Sequence, residues 1–332
     1  MVVFGLKKVI IIKLKNPSMK KIIILDHNGG RLGNQLWNFI SIYAYCLEKK
    51  YKCINYSFYN YHKFFNIKNN NIIYKLFLLI NNLFFLYKKR GLVNKLYRSY
   101  IKFIEKNDNK KIINSKKNTE NNQPFYLPPT EITNEGNKKT IIKIEKENYQ
   151  KIYFKGWFFR NPTGIFKYRE QIIKQFEPKQ NIIKKAKKLI YPLKEQYKNI
   201  IGVHIRQSDY KKFEGGKHYL NQTKIRIILE DYLKYFQIEN NKAIFLICSD
   251  EKVNKLNFGK LNVKINTGTA VEDLYLLSLT DTIIGSNSTF GAFASYYGNI
   301  PFIIFDKKHI NWEYYKDKKE YFNNPKCSVV HY

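Results

Sequence analysis

From residue 199 to residue 305 the sequence alternates between short apolar runs and stretches of helical periodicity. Segments 199–205, 243–247, 262–265, 282–285 and 301–305 are strand-length. Segments 221–236, 251–257, 271–280 and 288–298 read as helices. Parallel strands need long crossovers, and a helix is the usual one. Such alternation therefore predicts a parallel sheet with helices on both faces. The first half carries a weaker version of the same pattern. Lys20 to Leu25 is an apolar strand, and Leu32, Leu36, Ile40, Tyr43, Ala44 and Leu47 recur at helical spacing over 33–50. Lys52–Asn55 is a second strand, 60–105 is mostly helical, and 149–159 returns to a strand. Helices at 164–176 and 179–198 flank Pro178, and the linker falls within 176–198. Residues 106–148 are rich in Lys, Asn and Glu, with Pro124, Pro128 and Pro129, and read as a loop and variable insertion. The fold class expected is α/β, with an N-terminal domain at 19–185 and a C-terminal domain at 186–332.

The chain has 332 residues, enough for two such domains. Lys and Arg total 59 against 26 Asp and Glu, a formal charge of +33. The basic residues are dispersed among many Asn, Ile and Tyr, the signature of an AT-rich coding sequence. There is no RNA-binding signature, zinc-finger spacing or basic heptad region, so no nucleic-acid partner is expected. Attraction to an anionic membrane stays open. Cys46, Cys53, Cys248 and Cys327 form no CxxC, and His27, His62 and His218 form no HExxH, so neither a disulfide framework nor a metal site is expected. Val9 to Ile12 is an apolar run among lysines, far shorter than the roughly 20 residues that span a bilayer. It lacks a small-residue cleavage site. Residues 1–18 read as an upstream mis-start or a short basic anchor, with Met19 a natural start. The stretch Ile72 to Tyr87 carries Lys75, Asn81 and Asn82 and reads as a core-facing helix, while Lys88, Lys89 and Arg90 would suit a membrane surface. The location expected is cytoplasmic or membrane-peripheral.

Three segments carry the chemistry. The strand at 199–205 runs into Gly202-Val203-His204-Ile205-Arg206-Gln207-Ser208-Asp209-Tyr210. Ligands of open α/β sheets bind at such strand ends. His204 and Arg206 lie two apart, on one side of an extended chain. An arginine there can grip a phosphate through two parallel hydrogen bonds. The first strand runs into His27-Asn28-Gly29-Gly30-Arg31-Leu32-Gly33-Asn34-Gln35, a glycine-rich turn before a helix. It is neither GxGxxG nor a P-loop, and alone it reads equally as a tight β–α turn. Third, the strand at 282–285 leads into Ser286-Asn287-Ser288-Thr289-Phe290-Gly291-Ala292, a helix start with capping residues and free backbone N–H groups.

In this order, GGRLGNQ, HIRxxDY, the SDE at Ser249–Glu251 and DLYLLSL…NSTFGAF resemble the bacterial α-1,2-fucosyltransferases and their wider superfamily of GDP-fucose-dependent enzymes. The strand ending Gly156-Trp157-Phe158-Phe159 fits as well. The likeness covers roughly Met19 to Phe305. It implies a GT-B-like arrangement, two Rossmann-like domains facing a cleft, and metal-independent, inverting transfer of fucose from GDP-fucose to a galactose-type hydroxyl of a surface glycan or glycolipid. No cofactor is implied beyond the donor itself. Arg206 would hold the β-phosphate, with Ser288 and Thr289 adding donors and Arg31 and Asn34 reaching in from the other domain. His204 would line the guanine pocket, and Asp250 would accept hydrogen bonds from the guanine edge. Asp209 is left between general base, brace for Arg206 and turn cap. Two positions depart from the pattern. Gln207 stands where relatives carry a second arginine, so a cationic grip is missing unless Arg31 or Lys217 supplies it, and Gln207→Arg is expected to be neutral or activating. Phe293 stands where relatives tend to have Trp, which bears on the sugar or acceptor pocket. The alternatives are a related transferase with another donor or linkage, and a non-catalytic basic protein that binds nucleic acid or membrane.

Overall fold

A computed structural model of the chain describes residues 19–26, 30–68, 72–86, 90–107, 111–115, 141–142, 144–146, 149–156, 159–305 and 310–316. The expectations for residues 1–18, for Lys88 and Lys89, for Trp157 and Phe158 and for Cys327 fall outside them.

The first unit is built on a parallel sheet of order β2-β1-β4-β3, from β1 (Lys21–Asp26), β2 (Lys52–Asn55), β3 (Lys111–Ser115) and β4 (Lys151–Gly156). Side chains alternate along a strand, and β1 uses both faces. Ile22 and Ile24 join the core under α1 (Leu32–Glu48), while Ile23 and Leu25 face α3 (Ile72–Leu86) and α4 (Arg90–Asn107). A single turn, α2 (Tyr59–His62), precedes the α3–α4 hairpin. β3 corrects the expectation of a loop throughout 106–148. Lys111 to Ser115 pair in parallel register with Ile152 to Gly156. Its two isoleucines, Ile112 and Ile113, are short enough to be masked by the surrounding Lys and Asn.

Helices α5 (Pro162–Lys167), α6 (Arg169–Gln175) and α7 (Gln180–Gln196) follow, and α7 packs on the second unit. There the strands β5 (Asn199–Ile205), β6 (Ala243–Ser249), β7 (Val263–Ile265), β8 (Thr282–Gly285) and β9 (Phe302–Ile304) form a parallel sheet of order β7-β6-β5-β8-β9. Its helices are α8 (Gln222–Tyr235), α9 (Ala270–Leu277) and α10 (Thr289–Gly298). The helix expected at 251–257 does not form. Asn254 caps a single 3-10 turn, Lys255–Phe258, by accepting from Leu256 N–H, and Gly259 ends it at φ 56°. A capping side chain and a positive-φ glycine so close together leave no room for a longer helix.

The fold is thus two Rossmann-like α/β units, each built on a parallel sheet, the α/β class expected. One apolar core runs through both. Its centre is the packing of α1 on α10. Trp37 is fully buried, sets its ring 5.5 Å from those of Phe293 and Tyr296, and donates from Nε1 to the Thr289 carbonyl at 2.9 Å. Arg169 donates to the Tyr296 and Tyr297 carbonyls at the end of α10, and the Tyr296 hydroxyl donates to Ile165. Phe293, expected to bear on a ligand pocket, is fully buried in this helix pair. Cys46 and Cys248 are buried free thiols and Cys53 is half-buried.

Candidate active site

The second sheet reverses its winding direction at one strand boundary, β5/β8: the chain leaves β5 towards β6 and leaves β8 towards β9. A crevice opens where the connections leave such a pair in opposite directions. The ends of β5 and β8 and the turn that follows β1 border one cavity of about 260 Å3. Arg31, Gly33 and Asn34 line it from the first unit. His204, Arg206, Asp250, Asp273, Ser288 and Thr289 line it from the second, and Tyr61 of α2 also reaches it. Seven of the eight site residues expected from sequence border this one space, and Asp209 lies behind Arg206.

The N-termini of α1 and α10 meet at the cavity. A Cβ on Gly33 would lie 2.7 Å from Thr289 Oγ1 and 2.8 Å from Phe290 N, so only glycine permits this approach. Gly30 holds φ at 83°, which sets the turn before α1 and brings its backbone against Asn34. Two helix dipoles therefore bring positive ends to one place.

Arg206 is held on every side but one. Its Nε and Nη2 donate to the two carboxylate oxygens of Asp209 at 2.9 and 2.6 Å. Its guanidinium carbon lies 4.7 Å from the centre of the Tyr210 ring, and the Tyr210 hydroxyl is tied to the Asn287 carbonyl. Its backbone N–H donates to Ser286 Oγ at 2.9 Å, and Nη1 points to Ser288 Oγ at 3.4 Å. The hydrogen bond from Arg206 holds the Asp209 carboxyl below the usual carboxylate range.

Asp250 follows β6 and is saturated. Oδ1 accepts from the backbone N–H groups of Gln207 and Ser208 at 2.8 and 3.3 Å. Oδ2 accepts from the Ser208 hydroxyl and from Arg31 Nη1 at 2.9 Å. Burial would raise this carboxyl, but those hydrogen bonds outweigh it and hold it low. Arg31, expected at a phosphate, here donates across the cleft to Asp250, and its Nη2 donates to Ser208 at 3.2 Å.

His204 stacks on Phe290 at 4.9 Å. Burial and the Arg206 cation lower its pKa to about 4, so the imidazole is neutral at pH 7. Its Nδ1 is buried with no hydrogen-bond partner. Asp273 was not singled out from sequence. It sits on α9, buried at the cavity wall, where burial raises its pKa to about 6 against hydrogen bonds from Asn266 (2.5 Å) and Cys248. A sequence signal exists. Thr269 and Glu272 complete the capping box of α9, so the acid next to them has no capping task.

Gln207 corrects the expectation placed on it. It is 4% exposed and donates from Nε2 to the Leu220 carbonyl at 2.9 Å, so its side chain does not face the cavity. Lys217 is no substitute, because it is solvent-exposed, 3.9 Å from Glu214, and absent from the cavity lining.

No protein-family model matches this sequence, and no curated protein matches it. Solved structures do resemble it. A variant of Arabidopsis thaliana FUT1 in complex with GDP shares 12% identity, with 86% of this chain and 70% of that one covered and a TM-score of 0.48. NodZ α-1,6-fucosyltransferase soaked with GDP-fucose, an enzyme solved also from Bradyrhizobium, shares 15% identity over 88% and 97% of the two chains, with a TM-score of 0.49. POFUT1 in complex with GDP shares 14% over 85% and 95%, with a TM-score of 0.46. These likenesses concern the chain trace.

The cavity is chemically two-sided. Around Arg206, Arg31, Ser288, Thr289 and the two helix starts it is an anion site. His204 and Phe290 line it with stacked rings, and Asp273 adds a carboxylate able to accept hydrogen bonds. Among the described residues, no group of three or more His, Cys, Asp or Glu stands close enough to hold a metal ion.

Proposed function

We propose that the chain is a fucosyltransferase that uses GDP-fucose and attacks the anomeric carbon with a galactose-type hydroxyl, giving an α-1,2 linkage with inversion. One observation carries this reading: Arg206, braced by Asp209 and Tyr210, faces the junction of two helix N-termini. That is a site for a diphosphate. The motif resemblance supplies the sugar and the linkage.

In this reading the guanine lies against His204 and Phe290. Ionised Asp273, in the cavity wall, accepts from the adjacent N–H donors of the guanine edge. That is the role expected of Asp250, whose oxygens are already occupied. The diphosphate lies between Arg206 and the 288–289 helix start, and Asn34 borders the sugar. As the C–O bond to the β-phosphate breaks, negative charge grows on the departing oxygen. Arg206 and the helix N–H groups meet it without reorganising. Asp209 acts as the brace, since both its oxygens are engaged and its carboxyl is a weakened base. The acceptor proton then passes to the departing phosphate oxygen. The domain division at 185/186 separates acceptor-side and donor-side halves, and the acceptor is a glycan or glycolipid handled in the cytoplasm or at an anionic membrane.

The test is donor-specific stabilisation followed by turnover. GDP should raise the melting temperature well above the effect of equimolar UDP. Incubation with GDP-fucose and galactose-terminated acceptors should then give a fucosylated product by mass spectrometry. Equal stabilisation by UDP would remove the guanine assignment. Steeply salt-dependent DNA binding without a GDP response would favour the basic-protein alternative.

A further inference from the structure

The α3–α4 hairpin covers the first sheet with one face and leaves the other in solvent. Tyr74, Asn81, Val93, Tyr97 and Ile101 point inward, onto Ile23, Leu25 and Tyr59 or their neighbours. The outward stripe is also apolar. On α3, Ile72, Leu76, Leu79 and Leu83 are 81, 57, 63 and 57% exposed. On α4, Leu92, Leu96 and Phe103 are 47, 43 and 64% exposed. Their spacing of three, four and seven residues keeps each set within one narrow arc of its helix. Isolated surface leucines are ordinary, but seven large apolar side chains on two packed helices form a contact surface.

Charge decides what it contacts. Lys75, Lys95, Arg98, Lys102 and Lys106 on the same two helices are exposed, and Glu105 is the one acid in their sequences. The whole chain carries +33. Two copies meeting on this face would bring like charges together, whereas an anionic lipid surface attracts them. Length decides how it is contacted. At about 1.5 Å per residue, helices of 15 and 18 residues fall short of the roughly 30 Å hydrocarbon core. Among the described residues, no helix is long and apolar enough to cross a membrane.

We infer that the outer face of the α3–α4 hairpin docks on an anionic bilayer. The hairpin lies in the interface plane, with Leu76, Leu79, Leu83, Leu96 and Phe103 among the upper acyl segments and the lysines at the headgroups. The inference rests on the hairpin and not on the donor assignment. It also has a consequence for the cleft. α2, which carries the cavity residue Tyr61, packs on α3, and the Tyr97 hydroxyl holds the Leu25 carbonyl near the end of β1. A docked hairpin therefore connects the membrane to the cleft through α2 and β1.

The experiment is co-sedimentation of the full chain with phosphatidylcholine vesicles, with and without phosphatidylglycerol, at low and high salt. Binding is expected only with phosphatidylglycerol, and it should weaken as salt rises. The triple variant Leu76→Ser, Leu83→Ser, Phe103→Ser should lose about tenfold or more in partition. The charge variant Lys95→Glu, Lys102→Glu should lose several-fold. Both should keep the wild-type melting temperature and any GDP response, since all five positions are exposed and lie outside the cleft. If the apolar variant melts early, the charge variant decides alone. Three results would overturn the inference: no sedimentation of wild type with phosphatidylglycerol vesicles, undiminished binding by the variants, or a stable dimer in solution that the apolar variant dissolves.

Discussion

Arg31 and Asp250 form an ion pair across the cleft, Nη1 to Oδ2 at 2.9 Å, joining the residue before α1 to the residue after β6. Both line the cavity, whose 260 Å3 falls below the roughly 300–1,000 Å3 of ordinary ligand clefts. A nucleotide sugar must displace this pair or pass it. Arg31 is 58% exposed, so the pair adds under about 1 kcal/mol to stability. Arg31→Ala should leave the melting temperature nearly unchanged. If Arg31 turns to the phosphate when donor binds, the same variant should lower kcat/KM for GDP-fucose by about tenfold or more. A variant with normal kcat/KM would mean that Arg31 serves only the ion pair with Asp250.

Arg206→Ala should abolish transfer while leaving the circular dichroism spectrum intact. Loss of a preorganised donor to developing charge raises the barrier by about 2.7–4 kcal/mol, or 10²–10³ in kcat. Arg206→Lys should not rescue it. A lysine cannot satisfy both Asp209 oxygens and also reach Ser288. Near-normal turnover in either variant would remove Arg206 from the chemistry.

Gln207→Arg should destabilise by about 1–3 kcal/mol and gain no activity. The substitution places a guanidinium in a buried site whose recorded side-chain partner is the single Leu220 carbonyl. A chemical melt alongside a transfer assay checks both halves. A more active variant of unchanged stability would show that this side chain can reach the cleft.

Two buried groups set opposite pH responses. The folded-state pKa of His204 is depressed to about 4 from 6.5. Its contribution to stability is full above pH 6.5 and is lost as pH falls towards 4, about 3 kcal/mol in all. Asp273 is raised to about 6 from 3.8, so the folded state loses stability as pH rises through that window. For binding the Asp273 sign reverses, because the ionised carboxylate accepts the guanine N–H groups. GDP affinity should therefore fall as pH drops below about 6. Asp273→Asn should weaken GDP binding at pH 7 and flatten that limb. Titration calorimetry between pH 5 and pH 8, a range chosen to bracket the Asp273 pKa of about 6, reads both effects.

The alternation after residue 199, with its apolar strands and capped helices, specified the second sheet almost residue by residue. Local rules suffice there. A buried parallel strand must be short and apolar, and a capping box such as Thr269 with Glu272 marks a helix start wherever it lies. β3 escaped because two isoleucines in a polar stretch form a strand only once β4 offers an edge to pair with. The exposed face of α3 escaped for the opposite reason. Its apolar residues exceed what one core-facing stripe can bury, and periodicity cannot tell the inner stripe from the outer.

The site divides along the same line. Sequence alone fixed which residue types stand at the strand ends and helix starts, because turn and cap chemistry is local. Which carboxylate is held by four donors and which by fewer was decided only by the fold. Asp250 is saturated because the backbone after β5 and Arg31 of the other unit converge on it, contacts 42 to 219 residues apart in sequence. Asp273 holds a raised pKa only because the fold buries it, beside Cys248 and Asn266, and Gln207 turns away from the cleft because Leu220 presents a carbonyl there. Desolvation and long-range hydrogen bonding depend on what the chain brings near, and no local pattern encodes that.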